Sequence, residues 1–181
     1  MQRDLRRLNW GCGDSGVPGW INSDLKEGPG IDITADIRHG LPLDSDSLDY
    51  IVSIHALPMI SYPDLVPALR ELRRLLSPGG VLRLGLPDLD RGIQAYLRRD
   101  RDYFLVPDDV VQSHGGRFIV HMLWYGHSVT LFTTDFIEEL LLHAGFSRIE
   151  HCAYRETRSR HPDIVELDNR EKESLFVEAV K

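Results

Sequence analysis

The chain has 181 residues, 42% of them hydrophobic and 27% charged, which suits one globular domain with one core and excludes a disordered chain. Its formal net charge of −7 and pI near 5.6 count against nucleic acid as a partner, because an acidic surface repels phosphate backbones. Two cysteines, Cys12 and Cys152, form no disulfide framework, and no apolar run reaches the ~18–20 residues that span a bilayer. The charged start, Met1 to Arg7, leads into no apolar stretch of a signal peptide, so the expected location is the cytoplasm.

Leu5–Trp10 reads as a first strand ending at Gly11-Cys12-Gly13. Trp20–Leu25 and Ile31–Ala35 follow as strands ending near Asp24 and Asp36, and Leu48–Ile54 is an apolar run suited to a strand covered on both faces. Leu65, Leu69, Leu72, Leu75 and Leu76 share one face of a helix, with Pro63 in its first turn and Ser77-Pro78-Gly79-Gly80 as its stop. Val81–Leu86 is the next strand. Asp88–Arg99 reads as a helix burying Leu89, Ile93, Tyr96 and Leu97, and Asp100–Phe132 is the least regular stretch. Thr134 can cap a helix ending at Gly145, with Asp135, Glu138 and Glu139 in its first turns. Phe146–Tyr154 and Ser174–Val180 are the last two strands, joined by a polar loop without a helix.

Seven strands alternating with helices define a doubly wound α/β sheet, mostly parallel, with one antiparallel strand at an edge. Ligands in such sheets sit beyond the carboxyl ends of the parallel strands. Gly11-Cys12-Gly13-Asp14-Ser15-Gly16 fits G-x-G-x-x-G, a weak signal by itself. A dinucleotide site needs a helix starting inside the motif and an acidic residue ~20 positions on. Val17-Pro18-Gly19 leaves room for about one helical turn between Gly13 and Gly19, and Asp24 arrives early. NAD is therefore disfavoured. S-adenosylmethionine, which has no pyrophosphate, needs only close backbone approach and a carboxylate for its ribose.

Further stretches carry a family resemblance: Leu8 to Gly13, Gly19 to Leu25, Ala35-Asp36-Ile37, Leu41-Pro42-Leu43 with Ser47 to Val52, Leu72 to Leu82, and Ala144-Gly145-Phe146. In order and spacing the chain resembles the class I S-adenosylmethionine-dependent methyltransferases, particularly the small type 11 group, which implies a Rossmann-like fold over a single domain, residues 1–181. The resemblance implies that Gly11 and Gly13 approach the cofactor's methionine end and Asp24 holds its ribose. Asp36 and Ile37 would flank the adenine, and Ile54 with His55 would sit under the sulfonium. Trp10, Cys12 and Leu25 complete the implied cofactor site, and Asp49 is implied to be structural. Two positions depart from the family: Pro58-Met59 stands where relatives carry a Glu-His pair, and Asn9 replaces an acid before the glycine loop.

Methyl transfer from a sulfonium has a good leaving group, so positioning is the larger task, although an oxygen or nitrogen acceptor with a proton to lose benefits from a base. His55, at the end of the fourth strand, and His127, in the irregular segment, are the candidate catalytic residues. His121, with Phe118, Leu123 and Trp124, reads as packing, while Trp124 could also line an acceptor pocket. The spacing of His114, His121 and His127 repeats no metal-ligand pattern, so no metal is expected. Arg155, Arg158, Arg160 and His161 form a basic run that reads first as a solvated loop and second as a clamp for an acidic acceptor. Residues 100–132 form the expected acceptor lid. The sequence supports methyl transfer to O or N of a small molecule (a metabolite, natural product or sugar), with a non-catalytic S-adenosylmethionine-binding partner subunit and an RNA or protein methyltransferase as alternatives.

Overall fold

A computed structural model of the chain describes residues 5–14 and 16–181. The N-terminal charges at Met1–Asp4 and Ser15 of the glycine motif lie outside the described residues. Strands β1 (Arg7–Trp10), β2 (Ile21–Asp24), β3 (Ile33–Thr34), β4 (Leu48–Ile54), β5 (Leu76–Pro87), β6 (Arg148–Cys152) and β7 (Ser174–Val180) form one sheet, ordered β3-β2-β1-β4-β5-β7-β6. Only β7 is reversed among them: it pairs antiparallel with both β5 and β6, and every other pairing is parallel. The Rossmann-like class expected from the sequence is the observed one. The reversed strand lies second from the edge, and β6 occupies the edge itself.

Helix α1 (Tyr62–Leu75) follows β4, and α4 (Thr134–His143) precedes β6. Leu65, Leu69, Leu72 and Leu75 of α1 are fully buried with Ile137, Leu140 and Leu141 of α4 against Leu82, Leu84 and Leu86. Burying each such leucine contributes roughly 1.5–3 kcal/mol. The opposite face of β5 presents Val81, Arg83 and Gly85, and among the described residues no α-helix covers it. Segment 153–173 lies there, bringing Ile164 against Tyr50, Val52 and Trp20.

Arg83 ties that segment down from inside the protein. Its side chain is fully buried; Nε and Nη2 donate to the two Asp168 oxygens (2.8 and 2.6 Å), and Nη1 donates to Glu178 Oε1 (2.8 Å). Nη1 also reaches the Glu156 carbonyl (3.0 Å). Two buried carboxylates therefore face one guanidinium, and donors from Thr157 Oγ1 and the Arg155 and Arg158 N–H groups complete their hydrogen bonding.

Several local expectations differ from the structure. The first three strands are shorter than predicted, and β3 has two residues. Ser77-Pro78-Gly79-Gly80 is a bulge inside β5 rather than a stop after α1, with the pairing register shifting there. The predicted helical turn between Gly13 and Gly19 is absent from the described residues, which form turns instead. Asn22 makes that helix unnecessary: its side chain accepts from Val17 N–H (2.9 Å), donates to the Val17 carbonyl (3.0 Å), and accepts from buried Asn9 (3.1 Å).

Helix α2 (Leu89–Leu97) buries Gly92 and Ala95, while the predicted core residues Ile93, Tyr96 and Leu97 are exposed. Small residues won that face because a second helix, α3 (His114–Met122), packs closely. A Cβ built on Gly92 would lie 2.7 Å from Met122 Sδ. Thus the stretch expected to be irregular contains a helix. Thr133 rather than Thr134 is the N-cap of α4, and its hydroxyl binds the Asp135 carboxylate instead of a backbone N–H.

Candidate active site

The carboxyl ends of β1, β2 and β4 and the start of the reversed β7 open on one side of the sheet. A cavity of about 700 Å³ lies there, with Trp124, His127 and Ser128 also in its wall. Every residue expected at the cofactor (Trp10, Gly11, Cys12, Gly13, Asp24, Leu25, Asp36, Ile37, Ile54 and His55) lines it, and so does His127.

The glycines differ in what holds them. Gly11 and Gly13 both have left-handed backbones (φ +69° and +76°), which favour glycine. A Cβ on Gly11 would meet Ala56 Cβ at 2.1 Å, so Gly11 lets β1 approach the end of β4. A Cβ on Gly13 would meet nothing within 4 Å, leaving a cradle of free space. Gly13 N–H donates to Asp24 Oδ2 (2.9 Å) and Lys26 N–H to Asp24 Oδ1 (3.3 Å), which fixes the carboxylate at the wall with acceptor capacity left for hydroxyls. Asp36 caps the short helical turn Ile37–His39, and its carboxylate is paired with Arg38 (2.5 Å). That bond, against slight desolvation, holds the Asp36 carboxyl below its ordinary value. Burial, reinforced by Asp24, pushes the Cys12 thiol up, so it is a small turn residue rather than a nucleophile. The open cradle at Gly13, the Asp24 carboxylate with free acceptor capacity and the apolar Ile37 and Ile54 are chemically suited to S-adenosylmethionine.

His55 has a left-handed backbone (φ 58°), and its Nε2 shares a 2.7 Å hydrogen bond with Ser174 Oγ. Burial first, and the Arg170 charge second, push its imidazole down to about 4, so it is neutral at physiological pH. His127 is exposed at the other side of the cavity. The two predicted histidines are therefore brought to one cavity in unlike environments. His114 instead stacks on Tyr96 and does not line the cavity.

Of the other residues at this end, Asn169, Arg170 and Glu173 were not singled out in the sequence. His121, expected as packing, is buried; its Nδ1 accepts Leu105 N–H (3.1 Å), which leaves the proton on Nε2 to meet Glu173 Oε2 (3.1 Å). Burial raises the Glu173 carboxyl, but bonds from His121 and Arg170 outweigh it and hold it below its ordinary value. Arg170 lies over the Trp124 ring at 4.5 Å. The predicted basic run is elsewhere: Arg155 and Arg158 bind the buried carboxylates through their backbones, and His161 packs on Tyr50. The signal available in the sequence was topological. Residues just before a reversed strand arrive on the ligand side, which is where Asn169, Arg170 and Glu173 sit. Asp49 holds Arg6 at the start of β1 (2.8 Å), a structural role. Pro58, at the departure from the family pattern, gives its carbonyl to Val129 and Thr130 N–H and so ties down the end of segment 100–132.

Among the described residues no three His, Cys, Asp or Glu side chains gather as a metal site, and no helix is long and apolar enough to cross a membrane.

The sheet order, the reversed β7 and a cavity over the glycine cradle define the class I S-adenosylmethionine-dependent methyltransferase fold. Residues 16–84, somewhat over a third of the chain, match the type 11 model of the methyltransferase domain. The chain is 36% identical over 105 residues to mouse tRNA N(3)-cytidine methyltransferase METTL2, a match covering 58% of this chain and 26% of that protein. It therefore spans about a quarter of that relative's length. Among solved structures, a methyltransferase of Archaeoglobus fulgidus superposes with a TM-score of 0.60 at 12% identity, covering 98% of this chain and 86% of that one. One of Thermotoga maritima superposes with a TM-score of 0.58 at 17% identity, covering 97% and 82%. These structural likenesses are likenesses of fold. The tRNA relative gives no support to the expectation, drawn from net charge, that nucleic acid is not a partner.

Proposed function

We propose that this chain is an enzyme that transfers a methyl group from S-adenosylmethionine to an oxygen or nitrogen of a small molecule. The observation that carries the proposal is a cavity of about 700 Å³, bounded by the Gly13–Asp24 cradle and also by His127 and Trp124. Sites of ~300–1,000 Å³ are typical for small molecules, and this one suits a cofactor and a compact acceptor together. When bound, the cofactor supplies a methyl group activated by a sulfonium. Gly13 leaves room for its approach, Asp24 accepts from the ribose hydroxyls, and Ile37 and Ile54 offer apolar surface. His55, neutral and fixed by Ser174, sets no like charge against the sulfonium. A group titrating near 4 is a poor proton acceptor at neutral pH, so His127 is the better candidate for the base. Residues 100–132 act as the acceptor lid of a single domain.

The relationship to the tRNA enzyme favours a second reading, in which the acceptor is an RNA base. One assay tests both: transfer of labelled methyl from S-adenosylmethionine to a small-molecule panel and, separately, to bulk tRNA. Transfer to small molecules alone supports the proposal, and transfer to tRNA alone replaces it with the second reading. Asp24→Ala is expected to weaken S-adenosylhomocysteine binding at least tenfold with an unchanged melting temperature, since charge-assisted bonds contribute roughly 1.5–3 kcal/mol each. His127→Ala is expected to lower turnover ~10²–10⁴-fold with binding kept within about twofold. Tight cofactor binding without transfer to any acceptor would instead indicate a non-catalytic binder.

A further inference from the structure

Three residues with left-handed backbones and side chains other than glycine line one end of the cavity: His55 (φ 58°), Trp124 (φ 42°) and Arg170 (φ 59°). Such backbones cost free energy and persist where the surrounding structure holds a working geometry. Here they place the Arg170 guanidinium 4.5 Å above the Trp124 ring. Its Nη1 donates to Glu173 Oε1 (3.1 Å), while Glu173 Oε2 is engaged by His121. Among the described residues, Nε and Nη2 of Arg170 have no hydrogen-bond partner, although only 35% of the side chain's surface is exposed. Ser174 occupies His55 Nε2, and the Asn169 amide donates to the Leu167 carbonyl (3.2 Å).

The Glu173 oxygens are thus already engaged, and the strongest unused group at this end is a donor with a fixed plane. A guanidinium stacked on an aromatic ring and steadied by a carboxylate presents its remaining edge to planar, two-oxygen anions. Glu173 offsets part of the Arg170 charge, so the preference rests on the Nε and Nη2 donors that the pair leaves free.

We propose that Arg170 is a specificity-determining residue that recognises a carboxylate or phosphate group on the methyl acceptor, so that the acceptor is an anionic small molecule. This rests on the reading of the cavity as a methyltransferase site and deepens it. The same chemistry could come from the carboxylate of the cofactor's own methionine, and the experiment separates the two sources.

Benzoate and benzamide differ at one group, anionic in the first and neutral in the second. Their binding is measured by calorimetric or NMR titration with wild type, Arg170→Gln and Arg170→Lys, each ligand-free and saturated with S-adenosylhomocysteine. Thermal melting checks that each variant is folded. Wild type is expected to bind benzoate at least tenfold more tightly than benzamide. Arg170→Gln should abolish that preference, Arg170→Lys should retain part of it, and both should keep S-adenosylhomocysteine affinity within twofold. No charge preference in wild type, or a preference surviving in folded Arg170→Gln, overturns the proposal. So does a tenfold loss of S-adenosylhomocysteine affinity in Arg170→Gln without loss for 5′-methylthioadenosine, which lacks the carboxylate, because Arg170 then serves the cofactor. If S-adenosylhomocysteine fails to bind wild type, the methyltransferase reading falls, and the ligand-free titrations still decide whether Arg170 selects anions.

Discussion

His55→Asn isolates the effect of burying a histidine at the cavity wall. Asparagine tolerates the left-handed backbone at φ 58° and does not titrate; it is too short to replace Nε2 at Ser174, and that loss is the same at every pH. In wild type the imidazole is pushed from 6.5 to about 4 by burial and then by Arg170. Because the folded-state value is depressed, the unfolded chain takes up the proton first as pH falls. Stability is therefore full above pH ~7 and is lost between about 6.5 and 4. A gap of about 2.5 units corresponds to a loss of ~1 kcal/mol by pH 5.5 and ~3 kcal/mol by pH 4. His161, also depressed by burial, and the carboxylates lowered by their partners lose stability in acid as well. The wild-type minus His55→Asn difference cancels those contributions. Urea unfolding from pH 7.5 to 4.5 would measure it. The two stability curves should converge as pH falls, wild type losing stability faster. Curves that stay parallel would refute the claim that His55 is held neutral by burial, and with it the case against His55 as the base.

Gly13→Ala adds a Cβ to open space, so unfolding should report only ~1–2 kcal/mol of left-handed backbone strain, while calorimetry shows S-adenosylhomocysteine affinity down at least tenfold. Gly11→Ala should rank the other way, because its Cβ would collide with Ala56; its melting temperature is expected to fall well below that of Gly13→Ala, and the reverse order would contradict the cradle geometry. Arg83→Met leaves Asp168 and Glu178 buried without their cation and should cost about 3–5 kcal/mol in urea unfolding. A cost under ~1 kcal/mol would mean that the guanidinium does not anchor segment 153–173.

What the sequence determined by itself was periodic or positional. The apolar runs Leu48–Ile54 and Ser174–Val180 and the leucine face of α1 specify elements through burial on one or two faces, and β4 and β7 match their predicted bounds. The position of the cavity was also legible, since Gly11, Gly13, Asp24 and Asp36 stand at or just beyond strand ends and the structure brings them to its wall. The α2 face could not be read, because Gly92 and Ala95 are buried only when Met122 and Phe118 arrive from another helix. The far end of the cavity was hidden for the same reason. Arg170 acquires its place from the ring of Trp124 and the carboxylate of Glu173, and His121 its tautomer from the Leu105 N–H and Glu173. Those pairings join residues from segments 100–132 and 153–173, which no local periodicity relates. They exist because the reversed β7 returns the chain to the ligand side, and because Arg83, buried beneath segment 153–173, holds the covering chain against the sheet.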